Sequence, residues 1–388
     1  SSPVNESYYS DSVTNSPAPV LTKYDEPMGA DSGVKDSAIS WADMDEDGDH
    51  DMVVTGYTGS SKVFDTYKWY FGSLNLDQSF TGKILSSAAW ADIDGDGDPD
   101  LSVTGASGVF NSVSSDLYET TSGDTLSQID SLSPGLENSS GKYADIDGDG
   151  DQDLALIGYD GSDPRFVIYK NDGTGTFNKY DQPMGSTSGL RYGSIDWADI
   201  DNDGDSDLAV TGFDGTYRRF IVYENDGSGN LSVLSQPMGS TYGLEESSIQ
   251  WADMNQDGYQ DLLVTGYDGS EARLIVYHND GTGGLNNVNE RPGVYQSSID
   301  FADAEGDGYP DLMVSGLDDG GARHLHLFRN DGDGTFSFWQ TKSGVELVPV
   351  NKSSIKWADM EGDGDPDLAV TGTDGSNPRF IIYENQIQ

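Results

Sequence analysis

The chain has 388 residues, with 68 acidic side chains against 20 Lys plus Arg and a formal net charge of -48. So acidic a surface excludes nucleic acid and anionic membranes as partners, because phosphate binding needs basic patches. There is no Cys, hence no disulfide or thiol chemistry, and no apolar run reaches the roughly 18 residues of a membrane-inserted helix.

Residues 1–17 (SSPVNESYYSDSVTNSP) are polar and unpatterned and read as a flexible N-terminal tail, with 18–388 as one folded array. The tail carries Tyr8 and Tyr9, an arm able to add a strand to another copy and build a homo-oligomer or filament. A plain linker is the simpler reading. The chain opens on Ser without a signal peptide, as expected of a processed secreted chain or a trimmed one. Sequons at Asn5, Asn138, Asn230 and Asn351 are short enough to arise by chance and say little about glycosylation.

A strand segment follows in APVLTKYDEPMG (18–29). From there an aromatic, Ala-Asp, alternating acids and a closing Gly recur seven times, from Trp41, Trp90, Tyr143, Trp197, Trp251, Phe301 and Trp357. The first acids are 49 to 56 residues apart, a period that marks an array of repeated units. Each unit shows four strand signals. In the fourth they are SIDWADI (194–200), SDLAVTGF (206–213), RRFIVYE (218–224) and LSVLSQPM (231–238), the last two joined at Asn225-Asp226-Gly227. Helical periodicity is absent. Seven such units predict an all-β fold, a seven-bladed β-propeller of four-stranded antiparallel blades. The last unit ends one strand short, at FIIYENQIQ, and segment 18–29 matches the missing strand (NKYDQPMG, 178–185). The N-terminal strand is therefore expected to complete the last blade and close the ring.

The repeated acids form DxDxDGxxD loops, whose oxygen-only chemistry suits Ca²⁺ with its six to eight oxygen ligands at about 2.3–2.6 Å. Positions one, three, five, seven and nine are Asp43, Asp45, Asp47, Asp49 and Asp51 in the first unit, then Asp92, Asp94, Asp96, Asp98 and Asp100. The third and fourth units have Asp145, Asp147, Asp149, Asp151 and Asp153, then Asp199, Asp201, Asp203, Asp205 and Asp207. The fifth has Asp253, Asn255, Asp257, Tyr259 and Asp261, and the sixth Asp303, Glu305, Asp307, Tyr309 and Asp311. The seventh has Asp359, Glu361, Asp363, Asp365 and Asp367. Position seven offers its backbone carbonyl, so Tyr is tolerated there, and Asn or Glu at position three still presents oxygen. Position twelve is apolar, as at Val54, Val103 and Val370, where an EF-hand requires Glu; these loops join two strands. The expected cofactor is about seven Ca²⁺, one per blade, which would leave a net charge of about -34 (-48 + 14). Such loops fill where calcium is millimolar, which places the protein outside the cell, secreted or on a cell surface. The remaining acidity suits a salty medium.

The loops resemble those of FG-GAP/VCBS-type repeats, the blades of integrin α-subunit propellers and of many secreted microbial proteins, over essentially residues 18–388. The resemblance implies structural calcium sites on one face and a protein or glycan ligand on the opposite face. The FG and GAP signatures themselves are poorly matched, so integrin partners do not carry over. The expected function is non-catalytic, in adhesion or as a building block of an extracellular assembly. The alternatives are a carbohydrate-binding, lectin-like propeller and a polysaccharide-active enzyme.

Three further features recur or stand out. The aromatic that opens each repeat reads as packing between blades rather than a sugar platform. Asp and Arg five residues apart occur at Asp160/Arg165, Asp214/Arg219, Asp268/Arg273, Asp318/Arg323 and Asp374/Arg379, as braces for a turn. His324 and His326 share one strand face, expected to be exposed; no nucleophile–base pair presents itself, and the chain is expected not to be an enzyme.

Overall fold

A computed structural model describes residues 21–107, 112–121, 125–339 and 347–386. The tail assigned to residues 1–17 lies outside these. Among the described residues there is no helix, and 27 strands form antiparallel sheets, most of them four-stranded.

The strand after each acidic loop is covered on both faces, which is why its sequence is apolar without alternation. In Asp207–Phe213 six of seven residues are buried. The fourth unit consists of Ile195–Ala198, Asp207–Phe213, Arg218–Asn225 and Leu231–Ser235, hydrogen-bonded in that order. Its last strand is shorter than the sequence suggested. Gln236 to Gly239 makes a turn instead, with the Gly239 amide donating to the Gln236 carbonyl at 2.8 Å.

Units two and three depart from the expected separate four-stranded sheets. They form one seven-stranded sheet, because Thr125–Ala144 runs unbroken as the outer strand of one and the inner strand of the next. The chain there lacks the Pro-Met-Gly turn that breaks it after units three and four. At the other end of the molecule, Thr22–Asp25 pairs antiparallel with Pro378–Glu384 and becomes the fourth strand of the last sheet.

Seven apolar clusters join the units, each built by two neighbours. One of them packs Met360, Phe380 and Ile382 of the last unit against Val34, Ile39 and Met52 of the first. The aromatic opening each repeat, from Trp41 to Trp357, sits in or against one of these clusters in every unit, which accounts for it as packing.

Hydroxyl pairs add a second seam. Thr55 bonds Ser86 at 2.5 Å, Thr104 bonds Ser139 at 2.5 Å, and Thr211 bonds Ser247 at 2.8 Å. Ser315 bonds Ser353 at 2.8 Å, and Thr371 of the last unit bonds Ser37 of the first at 2.9 Å. Between units three and four both partners change together, to Ile157 and Gly193. Gly193 has no room for a side chain, since a Cβ would lie 1.9 Å from the Thr211 carbonyl oxygen.

Candidate metal centre

In each acidic loop the position-one carboxylate organises the turn. Asp43 accepts the amides of Asp47 and Gly48, each at 3.1 Å, and Asp145 those of Gly148 and Gly150 at 2.8 and 3.0 Å. The position-five carboxylate accepts the amide at position seven, as Asp257 does from Tyr259 at 3.0 Å. The Gly at position six has φ between +91° and +101° in all seven loops, a region that costs other residues roughly 1–2 kcal/mol.

Position nine is the buried anchor. Asp51, Asp100, Asp153, Asp207, Asp261, Asp311 and Asp367 are each 2% exposed or less. Each carboxylate clamps its loop to the third strand of its own unit. Asp207 takes the Ile200 amide at 3.1 Å on one oxygen and the Asn225 amide at 2.8 Å on the other. Burial pushes these carboxyls up despite the two amides: Asp100, Asp153 and Asp207 to about 6, Asp51 to about 7, Asp311 and Asp367 to about 8. Asp261 is raised by burial as well. Neighbouring acids push the same way, and a bound dication is what would relieve both.

The Asn that donates to position nine also reaches the preceding unit. Asn171 Nδ2 donates to the Ile93 carbonyl, Asn279 to Ile200 and Asn330 to Met254, each at 2.7 Å. Asn225 donates to Ile146 at 2.8 Å and Asn385 to Ala304 at 3.1 Å. Every one of these bonds ends on position two of a neighbouring acidic loop. Between the last unit and the first, His50 Nδ1 lies 2.9 Å from the Asp359 carbonyl oxygen instead. The loops are thus part of the joints between units.

Position three varies most. In the first four units three carboxylates each bring an oxygen within 4.8 Å of one another: Asp43, Asp45 and Asp51; Asp92, Asp94 and Asp96; Asp145, Asp147 and Asp153; Asp199, Asp201 and Asp203. In the last three units position three is turned aside. Asn255 donates to Asp257 at 3.0 Å, Glu305 is held by Arg329, and Glu361 is hydrogen-bonded to Asp367.

A strand-three cation stands beside the loop in three units. Lys68 meets Asp45 at 3.1 Å, Lys170 meets Asp147 at 2.6 Å, and Arg329 meets Asp307 at 3.0 Å as well as Glu305. Sequence reasoning missed these residues. The signal was a single variable position before the turn, filled by Lys170, Glu224, His278, Arg329 and Glu384.

The donor set fits a hard dication. Asp45 Oδ1 and Asp147 Oδ1 are buried and accept no hydrogen bond, although their partner oxygens meet lysines. Open carboxylate oxygens grouped with others of the same loop suit an oxygen-seeking ion such as Ca²⁺. At position seven the side chain has a different task. A Cβ on Gly173, Gly227 or Gly281 would lie 2.6, 2.3 or 2.4 Å from the side chain of Asp151, Asp205 or Tyr259. The Asn-Asp-Gly turn favours Gly because its φ is +76°, +70° and +77° at these three positions, and the position-seven side chain lies over it.

The opposite end of the sheets carries the Asp–Arg braces. Asp160–Arg165, Asp214–Arg219, Asp268–Arg273 and Asp374–Arg379 are bonded through Arg Nε at 2.5, 2.6, 2.9 and 2.7 Å. Arg165 and Arg219 also donate to the Ser186 and Ser240 carbonyls of the Pro-Met-Gly-Ser turns, which makes that motif part of the brace. Asp268 is held down to about 2: burial pushes it up, but the Glu271 and Ser270 amides, the Ser270 hydroxyl and Arg273 more than offset this.

The sixth unit corrects the sequence reading. One extra residue in its turn shifts the register, so Gly316 faces His324 where Gly266 faces Arg273. His324 Nε2 takes the Asp318 carboxylate at 3.0 Å, and Arg323 bonds Asn351 instead, at 2.8 Å. His324 is buried, not exposed, and its Nδ1 lies 3.3 Å from His326 Nε2. Burial, then the neighbouring His324, pushes His326 down to about 4. The sequon residue Asn351 is buried in the same network, a poor place for a glycan.

Acidic loops hinged on Gly, each anchored by a buried Asp between the first two strands of an antiparallel unit, define a repeat protein with candidate metal loops. The chain belongs to the FG-GAP-like repeat family, which it matches over residues 145–210, 203–264, 253–314 and 313–370. No curated protein matches it. Among solved structures, the crystal structure of rhamnogalacturonan lyase YesW is similar, with a TM-score of 0.53 at 17% identity over 95% of this chain and 76% of that one. At that identity the likeness is one of fold.

Proposed function

We propose that the protein is a closed, seven-bladed, calcium-stabilised β-propeller. It acts outside the cell as a non-catalytic binding module, in adhesion or as a building block of an extracellular assembly. Its protein or glycan ligand meets the face away from the acidic loops. The observation that carries this reading is the loop itself: a buried position-nine carboxyl in every unit, with open position-three oxygens at Asp45 and Asp147 and Asn side chains tying loops to the neighbouring unit. Ring closure is supported by the apolar cluster between the last and first units and by the strand Thr22–Asp25. Residues 1–17 serve as an arm for self-association, which particle mass measured with and without them checks.

The test is metal analysis after dialysis against calcium, with melting measured in calcium and in excess chelator. About seven ions per chain and a sharp loss of melting temperature are expected. A chain that holds no calcium and melts alike in both would overturn the reading.

A further inference from the structure

At the end of the first strands remote from the acidic loops, all seven units meet around one pocket of about 240 Å³. Each unit supplies two successive residues. The second is Ser in six units, while the first differs in every unit. That first residue lies in the left-handed region in all seven, with φ from +48° at Asn138 and Glu246 to +55° at Tyr192.

For Leu85, Tyr192, Glu246, Gln296 and Lys352 this conformation costs roughly 1–2 kcal/mol each, and less for Asp36 and Asn138, whose short polar side chains tolerate it. Its backbone purpose is visible in part. The Leu85 amide donates to the Asp36 carbonyl at 2.9 Å, Asn138 to Leu85 at 2.7 Å, and Tyr192 to Asn138 at 3.2 Å. Those bonds ask nothing of a side chain, and Gly would make them without strain in a chain that has 49 of them. Strain retained by five different side chains around one cavity points to what those side chains do there.

Their chemistry is mixed. Lys352 and Asp36 pair at 3.0 Å on one side, with Gln296 hydrogen-bonded to Glu246 nearby. Tyr192, 39% exposed, and Leu85 supply a ring face and an alkyl edge. Alternating donors and acceptors facing hydroxyls, with an aromatic for a C–H face, are what a sugar ring needs. The volume is just under the ~300–1,000 Å³ of drug-sized sites, enough for one ring. Two carboxylates against one amine disfavour an anionic ligand.

We propose that this pocket binds a single neutral sugar residue, free or at the end of a glycan. The proposal rests on the reading of this end as the binding face. The calcium-loaded full chain would be titrated with glucose, galactose, mannose, rhamnose, N-acetylglucosamine and glucuronate, by saturation-transfer NMR and calorimetry. At least one neutral sugar is expected to bind with Kd of about 1 mM or tighter, and glucuronate more weakly. Tyr192→Ala and Glu246→Gln should each weaken that binding about tenfold while melting stays within about 2 °C of the parent. If none of the six sugars binds, the sugar proposal fails, and calcium analysis still decides the propeller reading separately. Binding that both variants leave intact would move the site elsewhere, and tightest binding of glucuronate would overturn the charge argument.

Discussion

The two ends of the sheets are built on opposite rules. At the acidic end seven loops repeat nearly the same residues, and their invariant parts, the position-six Gly and position-nine Asp, are fixed by φ and by burial. At the other end one backbone conformation also repeats seven times, yet it carries Asp36, Leu85, Asn138, Tyr192, Glu246, Gln296 and Lys352. Repetition of residue and conformation together marks what the fold requires. Repetition of conformation with a different side chain each time marks positions released from packing and open to recognition.

The hardest test of the acidic end is to take its ion away. Seven loops contribute to the joints between units, so saturating chelation should lower the melting temperature by more than about 15 °C. The chelated protein should also respond to pH in an unusual direction. Burial raises the folded-state pKa of the position-nine carboxyls, to about 6 for Asp207 and about 8 for Asp311, above an unfolded value near 4. Below about pH 4 both states are protonated and nothing is lost. Between there and about pH 8 the unfolded chain releases protons that the folded chain keeps, so stability falls as pH rises. Thermal scans in chelator should give a higher melting temperature at pH 5 than at pH 8, whereas the calcium-loaded protein should not lose stability over that range. A chelated protein with equal melting at both pH values would remove the buried carboxyls from the account.

Two substitutions separate ring closure from loop chemistry. Leu21, fully buried beside the strand that completes the last sheet, should cost about 2–5 kcal/mol on change to Ala, read by denaturant unfolding. Asn225→Ala removes the bond to the Ile146 carbonyl and leaves a buried acceptor open, a loss of about 1–3 kcal/mol. If Leu21→Ala unfolds like the parent, the N-terminal strand does not hold the last sheet.

Much of this was legible in the sequence because it is periodic. The loops, the strand order within a unit and the aromatic packing follow from residues that recur at fixed spacing. What escaped was what breaks the period. Nothing in SLSPGLENSSGKYA declares that one strand will serve two units. The one-residue insertion before Arg323 hid the replacement of an Arg brace by His324. The left-handed residues at the pocket were invisible for a different reason: their shared feature is a backbone angle, which a varied side chain does not announce.

The strand-three position beside each loop offers the smallest effect and the finest test, because it asks whether the seven loops are equivalent at all. Lys170 lies 2.6 Å from Asp147 in loop three, while the corresponding residue of loop four is Glu224. An ammonium at that distance already neutralises part of the carboxylate cluster. Loop three should therefore tolerate chelation better and bind calcium more weakly than loop four. Lys170 is partly solvated, so the effect is screened, and Lys170→Gln should tighten calcium at loop three by only about 3- to 10-fold. Glu224→Lys should weaken loop four by a similar factor. Hydrogen exchange of the Gly150 and Gly204 amides, bonded to Asp145 and Asp199, reports the two loops separately during a calcium titration. Loop four should become protected first in the parent, and the order should reverse in the double variant. Coincident midpoints in both proteins would mean that the ion ignores the strand-three residue and that the loops are seven copies of one site.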